Sequence, residues 1–268
     1  MQKKVFENVK DINLKHTFEC GQCFRWNKNE DDSYTGVVSS LVATVSLIGD
    51  KLYIEATDDF DWKRYLDLDR DYGKIKKELV AKDNIIRDAI DYGFGIRILR
   101  QDLWEVIASF LISQNNNIPR IKGCIENLSK LHGEKITDDY YTFPKADVIA
   151  KLKANDLDEI KLGYRAKYLI ETAKAFEEKE FDSSEEAYEW LLGLSGVGPK
   201  VASCVMLFGF GYYGAYPVDV WVKKVMKELY GIEGINNINM FAKKTFGDYG
   251  GFAQQYLFYY MRDKKDKM

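Results

Sequence analysis

The chain has 268 residues, 46% of them hydrophobic, which is enough for one large domain or two ordinary ones with a real core. No apolar run reaches the roughly 18 residues of a membrane span, and Glu7 and Asp11 stand where a secretory signal needs an apolar stretch. We therefore expect no membrane partner and a cytoplasmic protein. The net charge of −3 argues at first against a nucleic-acid binder. Phosphate contacts are local, however, so a protein with this net charge can still bind DNA through one positively charged face.

The first third of the chain shows the residue alternation that is typical of β-strands. Apolar residues alternate along 41–47 and again along 52–56. Gly49-Asp50 lies between the two runs and suits a two-residue hairpin turn. The sequence therefore predicts an N-terminal antiparallel β-sheet domain, which we assign to residues 1–98.

The apolar spacing changes to a helical one after residue 60. Between Leu103 and Leu111 the apolar residues recur along one face of a helix, and comparable stretches follow towards the C-terminus. We predict a mostly α-helical domain over residues 99–268. The expected fold class is therefore α+β, with the β-sheet domain first and the helical domain second.

A glycine-rich hairpin, at about residues 193–200, joins two predicted helices. Gly196 and Gly198 permit the backbone of a tight turn, and Pro199 suits the first position of the next helix. The exposed amides of such a hairpin, beside a helix N-terminus, can bind a phosphate without reading sequence. An ordinary packing corner between two helices explains the glycines equally well, so the motif alone leaves both interpretations open.

Lys200 opens the second of these helices, and Asp219 follows it in the motif Pro217-Val-Asp219. A helix N-terminus disfavours the ammonium form of a lysine, and partial burial lowers its pKa further, which is how a lysine becomes a nucleophile. Cys204 lies one turn after Lys200 on the same face. Taken singly, Lys200 is equally compatible with a solvent-exposed side chain.

We predict that Asp219 caps the next helix, residues 220–230, which ends before Gly231. A carboxylate held by backbone amides stays ionised and can stabilise an oxocarbenium-like sugar. A cap alone is the simpler interpretation of this residue, and the two roles are compatible.

The cysteines offer little metal chemistry. Cys20-Gly-Gln-Cys23 has a redox or half-zinc spacing, but no second pair completes a site, and the chain contains only two histidines. We therefore predict no metal bound by side chains.

At this point the residues resemble the helix–hairpin–helix, Gly/Pro-Asp superfamily of DNA glycosylases, and within it the 8-oxoguanine DNA glycosylases. The resemblance covers most of the chain, since its motifs run in order from residue 21 to residue 258. Besides the hairpin they are Gly21-Gln-Cys-Phe-Arg-Trp26, Leu99-Arg-Gln-Asp102, Ser113-Gln-Asn-Asn-Asn-Ile-Pro-Arg120, Leu162-Gly-Tyr-Arg-Ala-Lys-Tyr168 and Phe252-Ala-Gln-Gln-Tyr-Leu-Phe258.

The resemblance implies a role for each matching residue. Lys200 is then the nucleophile that attacks the sugar C1′ and forms a Schiff base, with Asp219 as its partner acid. The Gly21 carbonyl accepts the N7–H that only the oxidised guanine carries. Phe258 and Cys204 sandwich the flipped base. Gln254 binds the Watson–Crick edge of that base.

Contacts to the opposite base and to the DNA backbone are implied as well. They fall to Asn115, Arg120, Tyr164, Arg165, Gly196, Gly198 and Trp221. Tyr164 matches the wedge beside the base left behind, whereas Trp221 replaces a histidine of eukaryotic members. The resemblance also implies a monovalent cation at the hairpin carbonyls, and the iron–sulfur cysteines of some relatives are not present in this sequence.

The implied function is base-excision repair of damaged double-stranded DNA. A monomeric enzyme would flip and excise 8-oxoguanine, then nick the strand by β-elimination, working in the cytoplasm beside a bacterial nucleoid or in a eukaryotic nucleus. Two alternatives stay open at this stage: excision of another damaged purine, such as an alkylated base, and a non-catalytic helix–hairpin–helix module that only binds DNA.

Overall fold

The computed structural model describes residues 1–266, and its N-terminal part is a five-stranded antiparallel sheet in the order β1-β5-β4-β3-β2. The predicted hairpin is confirmed, since Ile48 pairs with Lys51 and Gly49 adopts a φ of +62° at the turn. The strands are β1 Gln2–Phe6, β2 Trp26–Lys28, β3 Tyr34–Val38, β4 Leu41–Ile48 and β5 Lys51–Ala56.

Helices form most of the remaining structure, which confirms the α+β prediction. A short helix, α1 Leu14–Phe18, lies between the first two strands. The others are α2 Trp62–Tyr65, α3 Tyr72–Lys82, α4 Arg87–Tyr92, α5 Leu103–Ser113, α6 Ile118–His132, α7 Ala146–Ile149, α8 Arg165–Ala175, α9 Ser184–Leu192, α10 Pro199–Phe208, α11 Val220–Tyr230, α12 Ile235–Thr245 and α13 Gly250–Asp266. Short 3₁₀ turns cover Asn84–Ile86, Ala154–Ile160 and Gly247–Tyr249.

The buried apolar side chains form two clusters. One lies under the sheet and includes Trp26, Ile54 and Leu99, while the other joins the helices and extends from Cys20 to Met261. Side chains between 72 and 98 belong to the helical cluster, so α3 and α4 pack with the C-terminal half of the chain. The domain boundary at residue 98 stays a prediction, and residues 267–268 of the predicted second domain lie outside the described residues.

Helix α13 brings the C-terminal part of the chain back towards its beginning. It packs against α4 and α11, and Gln255 Nε2 donates to the Cys20 carbonyl over 2.8 Å. Two segments far apart in sequence thus meet at residues 20–21. Within residues 1–266, no helix has the length and apolar character that crossing a membrane requires.

Candidate active site

The hairpin lies between α9 and α10 and depends on Gly196. This residue has a φ of +75°, and a Cβ there would lie 2.4 Å from Cγ of Tyr168. Gly198 is the N-cap of α10, and no side chain caps this helix end. A Cβ at Gly198 would meet open space. The first-turn amides of α10 therefore face an accessible surface, as a phosphate site requires.

Lys200 lies in the first turn of α10 and is half-buried. Its Nζ is 5.1 Å from the ring centroid of Phe110, and its side chain lies close to the Cys204 thiol. Burial raises the pKa of the Cys204 thiol to about 11, although the nearby Lys200 ammonium acts in the opposite direction. Cys204 is therefore a neutral thiol near pH 7, with an apolar and polarisable surface.

Asp219 caps α11 as predicted, since the Val222 amide donates to its Oδ1 over 2.8 Å. Burial nevertheless raises the pKa of Asp219, against the lowering effects of the Val222 amide, the Lys200 charge and the Trp221 amide. The sequence analysis considered only the amides, which favour the ionised carboxylate, since the sequence does not show the burial that opposes them. Asp219 and Lys200 lie close enough to influence each other electrostatically.

Gly21 forms a turn that is closely packed against α13. Its φ is +79°, and a Cβ at this position would lie 3.3 Å from the Phe258 ring. Gln22 secures the turn, because its buried amide donates to the Arg97 carbonyl over 2.6 Å and accepts from the Leu99 amide over 2.9 Å. The structure thus brings Gly21 and Phe258 together.

Gln254 and Phe258 lie one helical turn apart on α13. Gln254 is 4% exposed, and its Oε1 has no hydrogen-bond partner among the described residues. A buried unpaired acceptor in a folded protein calls for an explanation, and a bound ligand supplies one. Phe258 packs against the helical core cluster that contains Cys204.

The loop after α5 contains Asn115, which is exposed and has a φ of +48°. Arg165, at the start of α8, is 6% exposed and donates to the Gln114 carbonyl over 2.8 Å and to the Asn115 carbonyl over 3.0 Å. The Gln114 side chain in turn donates to the Gly196 carbonyl over 3.1 Å. Arg165 therefore holds the loop through hydrogen bonds to its carbonyl groups. The contact of Arg165 with the opposite base stays a prediction.

Three other predicted residues lie at the surface near this loop or at the start of α11. Tyr164 is 52% exposed and stands beside the Arg165 guanidinium, 4.6 Å from ring centroid to Cζ. Arg120 is exposed and donates to the Lys161 carbonyl over 3.1 Å. Trp221 is half-buried in the first turn of α11. These positions are accessible to a large ligand.

Sequence reasoning missed Gln114 and Tyr168 as parts of the site and took Phe110 only for part of an apolar helix face. Gln114 and Tyr168 hold the hairpin, and Phe110 lies under the Lys200 ammonium. Gln114 and Tyr168 lie within two of the motifs quoted above, but their contacts join residues far apart in the chain, which the motifs do not show.

Among the described residues, no three side chains of the His, Cys, Asp or Glu type come together as a metal site. The hairpin carbonyls are partly engaged, since Ser195 accepts from Thr172 over 2.8 Å and Gly196 accepts from Gln114. A carbonyl has two lone pairs, so these contacts still leave capacity for a cation.

Two family models match the chain. The N-terminal domain of 8-oxoguanine DNA glycosylase matches residues 4–107, and the HhH-GPD superfamily of base excision DNA repair proteins matches residues 108–245. The chain is 31% identical over 212 residues to a probable N-glycosylase/DNA lyase of Methanothermobacter thermautotrophicus, covering 68% of each protein. It is 28% identical to the Arabidopsis thaliana N-glycosylase/DNA lyase, over 92% of this chain and 77% of that one.

A solved structure agrees with these matches. The Clostridium acetobutylicum 8-oxoguanine glycosylase/lyase, in complex with double-stranded DNA containing cytosine opposite 8-oxoguanine, superimposes with a TM-score of 0.91 at 41% identity over 98% of both chains. The fold and the hairpin site thus define a helix–hairpin–helix, Gly/Pro-Asp base-excision repair protein. The chain belongs to the 8-oxoguanine DNA glycosylases of that superfamily.

Proposed function

We propose that this protein is a bifunctional DNA glycosylase and lyase that removes 8-oxoguanine from duplex DNA. The observation that carries the proposal is that Lys200, at the N-terminus of α10, lies close enough to the half-buried Asp219 carboxyl to oppose the rise in its pKa that burial causes. The N-terminal family model favours 8-oxoguanine over the alkylated bases that the sequence left open. The lysine and aspartate pair favours an enzyme over a module that only binds DNA.

The reaction begins when the damaged nucleotide leaves the helix stack, which costs a few kcal/mol that contacts with the protein must offset. The Lys200 ammonium first loses a proton, and the resulting amine forms a bond to C1′ while the bond from C1′ to the base breaks. The electron pair of that bond leaves with the base, which takes up a proton. The Asp219 carboxylate stabilises the positive charge that develops on the sugar.

Strand cleavage follows from the same covalent bond. The nitrogen bound to C1′ loses a proton and O4′ takes one up as the C1′–O4′ bond opens, with its electron pair staying on O4′, which gives a Schiff base between Lys200 and the sugar. Removal of a C2′ proton then expels the 3′ phosphate by β-elimination, and the strand breaks 3′ to the lesion. Lys200 thus links base excision to strand cleavage.

In the proposed complex, the DNA backbone binds at the hairpin. The amides near Gly198 bind a phosphate, and a monovalent cation at the hairpin carbonyls would supply further positive charge beside it. We propose that one chain acts alone on double-stranded DNA, in the compartment that holds the genome. Sedimentation of the protein on a lesion duplex tests that stoichiometry.

Borohydride trapping tests the chemistry directly. We expect a covalent adduct on a duplex with 8-oxoguanine opposite cytosine and none on the undamaged duplex. Lys200→Gln removes the amine and should abolish the adduct, while Lys223→Gln, an exposed lysine on α11, serves as the matched control.

Base release without an adduct would replace the lysine mechanism by one that uses water. Release of an alkylated base, with none of 8-oxoguanine, would contradict the proposed substrate. Binding without release of either base would leave the binding module as the function.

A further inference from the structure

Arg262, near the C-terminal end of α13, carries a buried hydrogen-bond donor that has no partner among the described residues. Its side chain is 13% exposed, and its Nη1 has no hydrogen-bond partner among the described residues. The other two nitrogens are engaged, since Nε and Nη2 donate to Asp263 Oδ1 over 3.2 and 2.9 Å. A buried charged donor without a partner costs free energy, and a ligand that accepts a hydrogen bond from Nη1 would offset that cost.

The unpaired donor lies beside the residues already assigned to base recognition. Nη1 is 3.7 Å from the position that a Cβ on Gly21 would take, and the guanidinium carbon is 5.5 Å from the Phe258 ring centroid. Asp263 orients the guanidinium and leaves Nη1 directed away from the ion pair. Arg262, Gly21 and Phe258 therefore form one contiguous surface.

The order of residues along α13 indicates which part of a base Arg262 faces. Gln254, Phe258 and Arg262 are spaced four residues apart, so they follow one stripe of the helix over about 12 Å. In the roles that the family resemblance implies, Gln254 reads the Watson–Crick edge and Phe258 stacks on the face of the base. The Watson–Crick edge and the five-membered ring are at opposite ends of a purine, so a base bound in this way would place its five-membered ring beside Arg262.

We propose that Arg262 determines specificity by donating a hydrogen bond from Nη1 to O8 of 8-oxoguanine. This inference rests on the proposed function. O8 is an acceptor that guanine lacks, because guanine has only a hydrogen at C8. Together with the Gly21 carbonyl, which accepts from N7–H, Arg262 recognises both atoms that distinguish the lesion from guanine. A buried charged donor without its acceptor also penalises guanine, which strengthens discrimination.

Two activities measured on each variant test the inference. Arg262→Met keeps the apolar stem and removes the donor, so excision of 8-oxoguanine in single turnover should fall about tenfold to a hundredfold. Cleavage of a duplex with an abasic site involves no base and should stay within about twofold of wild type. Arg87→Met, an exposed arginine on α4, is the matched control and should change neither rate.

Equal losses of both activities in Arg262→Met would assign Arg262 a structural role and overturn the inference, as would unchanged excision. If Arg262→Met does not fold, Arg262→Leu also lacks a hydrogen-bond donor and carries the same comparison. A wild-type protein that cleaves abasic DNA but releases no 8-oxoguanine would instead contradict the proposed function itself.

Discussion

The carboxylate of Asp219 accepts a hydrogen bond from the Val222 amide and lies close to the Lys200 charge. Asparagine caps a helix as well as aspartate does, whereas alanine loses about 1 kcal/mol at such a position. We expect Asp219→Asn to unfold at nearly the wild-type temperature and yet to lose at least about a hundredfold in excision rate, because the negative charge is gone.

Asp219→Ala is the companion variant that separates the two roles. It should show the same loss of excision together with a lower melting temperature, since α11 loses its cap. Melting curves and single-turnover excision rates on the same samples check this. Wild-type excision by Asp219→Asn would mean that the residue only caps the helix.

The sequence predicted Asp219 and its cap because a capping residue and the glycine after the helix are local signals. It did not predict that burial raises the pKa of this carboxyl, since burial depends on how distant segments pack. Arg165 shows the same limit. Its motif was identified, but its hydrogen bonds to the Gln114 and Asn115 carbonyls depend on the meeting of α5 and α8.

The two glycines of the hairpin, Gly196 and Gly198, provide a matched pair of positions for substitution. Gly196→Ala should destabilise the protein by about 2–4 kcal/mol, because its φ is +75° and the new methyl group would collide with Tyr168. Gly198→Ala should change stability by less than about 1 kcal/mol, since a Cβ there meets open space. Urea unfolding of both variants measures the difference.

The same variants separate folding from DNA binding. Gly198→Ala adds a methyl group on the accessible face and should weaken binding to a lesion duplex, although the protein stays folded. Similar destabilisation by both substitutions would contradict the assignment of Gly196 as the tightly packed position and Gly198 as the open one.

Most elements were predictable because their signals lie within a few residues of one another. The β4–β5 hairpin, the helix beginning at Leu103 and the turn before Pro199 each follow from adjacent residues. The contacts of α13 with residues 20–21 were not predictable, because they join positions more than 200 residues apart. The site is assembled by such contacts, so its motifs could be identified from sequence only through resemblance.

Stability of the whole molecule should depend on the ionisation of Glu105, in the first turn of α5. Burial raises its pKa from 4.5 to about 7, although the Arg25 charge acts in the opposite direction. A carboxyl whose pKa is higher in the folded protein costs stability as pH rises from 4.5 to 7, because the unfolded chain ionises first.

Glu105→Gln cannot ionise and removes this cost. We expect it to match wild type below pH 4.5 and to be more stable by about 3 kcal/mol above pH 7. Chemical unfolding below pH 4.5 and above pH 7 checks this. Glu177→Gln, at an exposed glutamate, is the control and should not gain stability above pH 7. An equal gain at both pH values would point to packing and not to charge.

Helix α8 supports two surfaces at once. Arg165 holds the loop at Asn115, while Tyr168 and Thr172, further along the helix, contact Gly196 and Ser195 of the hairpin. These two surfaces would meet different parts of a duplex in the proposed function, and one rigid helix sets the distance between them. The protein therefore keeps the two surfaces at a fixed separation. The DNA must bend and open to contact both of them, and it bears the cost of that deformation.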